Sequence, residues 1–103
     1  MITIKCSSHH DIAERIKDAI MEFKYGKSNF ISYEKDGCHI KMTYKNTPQM
    51  VLMSQEAYNK LGHCIFDNSK YAFLLETIDG KEYFDKVPLI IGIGLNPIDI
   101  HII

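Results

Sequence analysis

Residues 89–103 read Leu89-Ile90-Ile91-Gly92-Ile93-Gly94-Leu95-Asn96-Pro97-Ile98-Asp99-Ile100-His101-Ile102-Ile103. The first seven are apolar or glycine throughout, the pattern of a strand covered on both faces. Asn96-Pro97 interrupts it, because proline offers no backbone donor and fixes its own φ. Ile98, Ile100 and Ile102 then alternate with Asp99 and His101, which predicts a strand with one buried face. At an edge of the sheet, this last strand carries no proline or charged terminus to block strand addition. In that position Ile98, Ile100, His101 and Ile102 present a partner-binding surface, or a homodimer contact. As an inner strand the same residues belong to the core, and both readings stand at this point. Gly92 and Gly94 are two apart, so a strand places both on one face, where the first helix can pack closely.

The next most informative stretch is Ile31–Met42. Asp36-Gly37 is a preferred two-residue hairpin turn, since both central positions need positive φ. That turn fixes the register. Tyr33 then opposes Ile40 and Ile31 opposes Met42 on an apolar face, while Glu34 opposes His39 and Ser32 opposes Lys41 on a polar one. Glu34 and His39 thereby join the candidate partner-binding residues. A second hairpin is expected from Tyr71–Ile78 and Lys81–Lys86, turning on Asp79-Gly80, although Ala72, Leu74, Leu75 and Glu76 also permit a helix over Tyr71–Thr77.

Toward the N-terminus, Ile2, Ile4 and Cys6 alternate as a short strand. Ile12, Ala13, Ile16, Ala19, Ile20 and Phe23 then recur at helical spacing, with Glu14, Arg15, Lys17, Asp18 and Glu22 on the other side. Ser8 is the expected cap, with Asp11 as its capping-box partner, and Gly26 is expected to close the helix at positive φ. Between the hairpins, Gln49–Met53 reads as a strand and Ser54 as the cap of a short helix ending at Leu61-Gly62. A single helix beginning at Pro48 competes with that reading. A His63–Phe66 strand and an Asp67-Asn68-Ser69 turn follow.

Met50–Leu61 resembles the strand-to-helix stretch of the Phd/YefM antitoxins over a dozen residues. The resemblance implies a strand, a serine cap and a helix here. It stops there, since the Asp36-Gly37 hairpin and the β-rich second half depart from a family whose tail is helical.

Together these elements predict one α+β domain over residues 1–103. A long N-terminal helix and a short middle helix pack on a mainly antiparallel sheet of six or more strands built from hairpins. A chain of 103 residues with 46% hydrophobic and 24% charged residues supports such a core unaided.

Chemistry is less forthcoming. The formal net charge is −1 with the signs interleaved, and Arg15 is the one arginine. No basic stripe exists to neutralise phosphates, so nucleic-acid binding is not expected. Met1–Cys6 lacks a secretory pattern and no apolar run approaches ~20 residues, so a cytoplasmic setting without membrane contact is expected. Three cysteines, Cys6, Cys38 and Cys64, are too few and too scattered for a disulfide framework. Each has a histidine nearby, but Cys38 with His39 and His63 with Cys64 are adjacent on expected strands and point to opposite faces. No metal, cofactor or catalytic set is therefore expected. Tyr25-Gly26-Lys27-Ser28 mimics a P-loop tail, yet it closes a helix and lacks the earlier glycine. Cys6, just before a helix N-terminus, is the best-placed thiol, and His9-His10-Asp11 at the helix start offers a small polar site whose acid also serves the cap.

Two functions follow from this reading. The first is a small intracellular protein-binding protein (inhibitor, immunity protein, antitoxin or accessory subunit) that acts by surface recognition of a partner. The alternative is a small enzyme or ligand-binding domain using dispersed residues such as Cys6, His9 and His39.

Overall fold

The computed structural model describes residues 1–26, 30–35, 38–43 and 47–103, with 30–35 and 38–43 as backbone. Its elements run β1 (Ile2–Lys5), α1 (Ile12–Tyr25), β2 (Phe30–Lys35), β3 (Cys38–Thr43), β4 (Val51–Met53) and α2 (Gln55–Asp67). A 3-10 turn (Ser69–Leu74) then leads to β5 (Leu75–Ile78), β6 (Lys81–Phe84), β7 (Val87–Ile91) and β8 (Asp99–Ile102). The architecture is α+β. Six strands form one sheet in the order β1-β8-β4-β7-β6-β5, and β2-β3 form a separate two-stranded sheet.

The sheet is mixed rather than built from antiparallel hairpins alone, because β4 and β7 run parallel with Val51 opposite Leu89 and Met53 opposite Ile91. Parallel neighbours need a long crossover. That crossover is the segment from α2 through β6, which no local pattern announces.

The C-terminal strand proves to be inner. On one side β8 pairs with β1, Ile2 with Ile102 and Ile4 with Ile100; on the other it pairs with β4, Val51 with Ile102 and Met53 with Ile100. Of the two readings of this strand, core membership holds, and the free edge expected for strand addition or a homodimer contact is absent. Alternation then sorts the sheet. Val51, Met53, Phe84, Val87, Ile100 and Ile102 are buried under the helices with Ile12, Ile16, Ile20 and Leu61. Their neighbours in sequence face the other way.

Helix α1 carries the expected stripe: Ile12, Ala13, Ile16, Ala19 and Ile20 are buried and Phe23 packs against the core. Its ends differ from expectation. Asp11 occupies the cap position without a side-chain cap bond, while Ser8 Oγ instead accepts from the His10 amide. Gly26 is extended at φ −61°, and a Cβ there would lie 2.7 Å from the Glu22 carbonyl oxygen. Close approach, not a left-handed conformation, requires this glycine.

Helix α2 begins as expected, with the buried Ser54 accepting from the Ala57 amide at 3.1 Å. The alternative start at Pro48 is excluded by β4. The helix does not stop at Gly62, and the expected His63–Phe66 strand is helix through Asp67. Glycine in a helix interior costs ~1 kcal/mol relative to alanine. Burying Leu61, Cys64 and part of Ile65 on the core offsets that, at ~1.5–3 kcal/mol for each large apolar side chain.

The β2-β3 backbone pairs Tyr33 with Ile40, Ile31 with Met42, Glu34 with His39 and Ser32 with Lys41, as the expected register requires. The Asp36-Gly37 turn itself, and the side chains of Glu34 and His39, lie outside the described residues. Asp79-Gly80 turns at φ 52° and 77° as expected. A second turn, Asp85-Lys86 at φ 50° and 66°, was not legible, because Lys86 is an unusual occupant of the left-handed region. Leu89–Leu95 is a strand only to Ile91. Gly92 falls beyond it, tight against the side chains of Leu52 and Leu95 rather than against α1, and Gly94 turns at φ 77°.

Gly62→Ala tests the helix assignment. A Cβ there meets open space. Continuous helix predicts a gain of ~0.5–1 kcal/mol in chemical denaturation. A helix ending at Gly62 in the left-handed region would instead lose stability.

Candidate functional site

Two regions each gather several chemistry-bearing or exposed apolar side chains. The first lies where α2 passes the start of α1. On α2, Asn59, Lys60 and His63 recur at spacings that share one outward side, and Asp67 lies one turn beyond His63. The loop before α1 brings His9 and His10 to them. His9 Nε2 and Asp67 Oδ2 are 2.8 Å apart, the His9 and His10 rings lie 4.3 Å apart between centroids, and His63 stands edge-on to His9 at 5.4 Å. A cavity of about 190 Å³ is lined by His9, Asn59, Lys60 and His63.

His9 and His10 stand out in the sequence, whereas a strand over His63–Phe66 would pair His63 only with Cys64 and set it apart from them. The missed signal is the spacing Ala57, Leu61, Cys64, which continues a helical stripe across Gly62. Among the described residues no group of three or more His, Cys, Asp or Glu side chains could hold a metal ion.

Cys6, the best-placed thiol of the sequence, lies in the core. It is 1% exposed, with the Arg15 guanidinium 3.5 Å from its sulfur and also donating to the Lys5 carbonyl. Burial pushes the thiol above its ordinary range, outweighing the opposing pull of Arg15 and Lys60. The helix N-terminus expected to activate it begins only at Ile12. Cys64 is likewise buried, its thiol 3.6 Å from the His10 carbonyl.

The second region is the end of the sheet at β6 and β7. These strands pair only as Tyr83 with Pro88 and Phe84 with Val87, next to the Asp85-Lys86 turn. Beyond Pro88 no β6 residue is in register with β7. The resulting cleft of about 540 Å³ is lined by residues 80–83 on one side and 88–91 on the other. Ile91 also borders a second hollow of about 440 Å³, formed by Ser54–Glu56 and Gly92–Leu95 at the carboxyl ends of the parallel pair. Ile78, Ile90 and Ile91 are 40–49% exposed and Ile93 is fully exposed. On the cleft wall, Glu82 accepts from the Tyr58 hydroxyl at 2.6 Å. That bond, with burial and the carboxylate charge adding to it, pushes the Tyr58 pKa up to about 12.

The expected partner-binding residues are distributed otherwise. Ile100 and Ile102 are buried. His101 and Asp99 lie on the sheet face away from the helices, held by Thr3 Oγ1 at 2.9 Å and Lys5 Nζ at 3.0 Å. Ile98 is half-buried beside the Asn96-Pro97 turn. The described helices include none long and apolar enough to cross a membrane. No protein-family model, curated sequence or solved structure matches this chain.

Two outcomes follow. Cys6 labels with iodoacetamide more slowly than a free thiol at pH 7; peptide mapping of the labelled protein checks this, and fast labelling contradicts its burial. Tyr58, with its pKa raised, favours the folded state below the unfolded tyrosine value of ~10. That contribution is lost as pH rises toward 12. Melting curves of wild type should fall more steeply over this window than those of Tyr58→Phe.

Proposed function

We propose that this is a small protein-binding protein, of the inhibitor, immunity-protein, antitoxin or accessory-subunit kind, that recognises its partner through the isoleucine-bearing end of the sheet. One observation carries the reading. Ile90 and Ile91 stand exposed in the lining of a cleft where two neighbouring strands diverge, and Ile91 and Ile93 line the adjoining hollow. Isolated surface apolar residues are ordinary, but a contiguous group marks a recognition site. Covering isoleucine on association returns ~25 cal/mol per Å² of apolar area removed from water.

The C-terminal strand enters this reading as support rather than as contact. Its two ladders hold β4, and through β4 the diverging strand β7, in place. A cytoplasmic setting accords with the unpaired Cys6 and Cys64.

The test is affinity capture from the native host with mass spectrometry, comparing wild type with an Ile90→Glu, Ile93→Glu double variant. Both sites are exposed, so the variant should melt within a few degrees of wild type. A stoichiometric protein recovered by wild type and lost by the variant is the expected result. Equal recovery by both, or a monomer carrying a small molecule and no protein, contradicts the proposal.

A further inference from the structure

The six-stranded sheet ends at β1, and among the described residues no strand lies beyond it. The backbone groups on that open side can be named. The Cys6 amide donates to the Ile98 carbonyl, so this residue faces β8. Antiparallel pairing alternates inward-facing and outward-facing residues, and Ile4 and Ile2 keep the parity of Cys6 in their pairs with Ile100 and Ile102. Thr3 and Lys5 therefore turn amide and carbonyl away from the sheet. The Arg15 guanidinium takes the Lys5 carbonyl. The Thr3 amide and carbonyl and the Lys5 amide remain as an open row.

The apolar rows that cross the sheet also stop short here. Val51, Met53, Ile100 and Ile102 are fully buried, whereas Ile2 and Ile4, at the end of the same rows, are only half-buried. A strand that completes this edge must offer apolar side chains on the helix side and free backbone groups opposite Thr3. A second copy of β1 offers both. Turned about a twofold axis normal to the sheet at Thr3, it runs antiparallel, and the two Thr3 residues exchange backbone bonds. Each Lys5 amide then meets the Met1 carbonyl of the other copy, so the carbonyl held by Arg15 is not needed. Ile2 of each copy faces Ile4 of the other, which joins the Val51–Ile102–Ile2 row of one to the Ile4–Ile100–Met53 row of the other. No like charges are opposed. The opposite edge, β5, is less suited to self-pairing: centred on Glu76 it opposes two carboxylates, and centred on Thr77 it sets Leu75 against Asp79.

We infer that the chain forms a twofold dimer through β1, in which the two sheets become one. This surface is separate from the isoleucine-bearing end, which lies across β8 and β4 and stays uncovered in both copies. An edge of four residues makes a small contact, so dissociation in the ~10–100 μM range is expected.

Sedimentation of the full chain between about 5 and 500 μM tests this, with the dimer fraction rising over that range. Over the same range, hydrogen exchange at the Thr3 and Lys5 amides should slow. Thr3→Pro removes an outward amide that β8 does not use, a position where an edge strand tolerates proline, and should leave a folded monomer even at ~500 μM. Should that variant fail to fold, a charge pair at the same exposed site decides. Thr3→Lys alone and Thr3→Glu alone should each weaken association roughly fivefold, because position 3 meets itself, and mixing the two should restore it. A monomer at every concentration overturns the inference. So does a dimer that is indifferent to the Thr3 substitutions, or one lost only in the Ile90→Glu, Ile93→Glu variant, which would move self-association to the isoleucine surface.

Discussion

The structure depends on the insertion of β8 between the first strand and the first strand of the second half. Ile102 is flanked by Ile2 and Val51, and Ile100 by Ile4 and Met53, so two rows of apolar side chains run across three strands beneath α1. The backbone of β8 is satisfied on both sides, which removes the row of open donors and acceptors that a terminal strand would otherwise expose. Ile103 extends the same ladder by exchanging bonds with Met50 and accepting from Gln49. The other strands of the six-stranded sheet are placed relative to this seam.

The sheet ends at β1 on one side of the seam and continues on the other. Beyond β4 the sheet continues through a parallel pair into β7, which shares only two residue pairs with β6. The divergence of these strands leaves Ile90 without a partner on the β6 side, so the topology that buries Ile100 on the paired strand β8 leaves Ile90 exposed. The closing of α1 onto α2 has a similar consequence. Packing Leu61 and Cys64 into the core forces the helix through Gly62, and that carries His63 to His9 and Asp67 within reach of the same ring.

Local patterns were enough for much of this. The α1 stripe, the Ser54 cap, the β2-β3 register and the Asp79-Gly80 turn were legible, because each rests on contacts within a few residues or on backbone conformations open to few residue types. The continuation of α2, the Asp85-Lys86 turn and the role of Gly92 were not. In each case a local preference was overridden by packing that arrives from elsewhere in the chain. The cluster around His9 is half legible: His9 and His10 stand out, but Asn59, Lys60, His63 and Asp67 become their neighbours only after α1 and α2 pack.

By itself, then, the sequence determined the class of the fold and its local geometry: an α+β chain with an amphipathic first helix, two-residue turns and alternating strands. Period and turn chemistry are short-range and survive any arrangement of the elements. Strand order, the parallel pair and the inner position of Ile98–Ile103 were decided only by tertiary structure. An alternating strand looks the same at an edge as in the interior until its neighbours are known. The choice between them rests on long-range pairing of Ile2 with Ile102 and of Val51 with Ile102, whose favourable burial no window of local sequence contains.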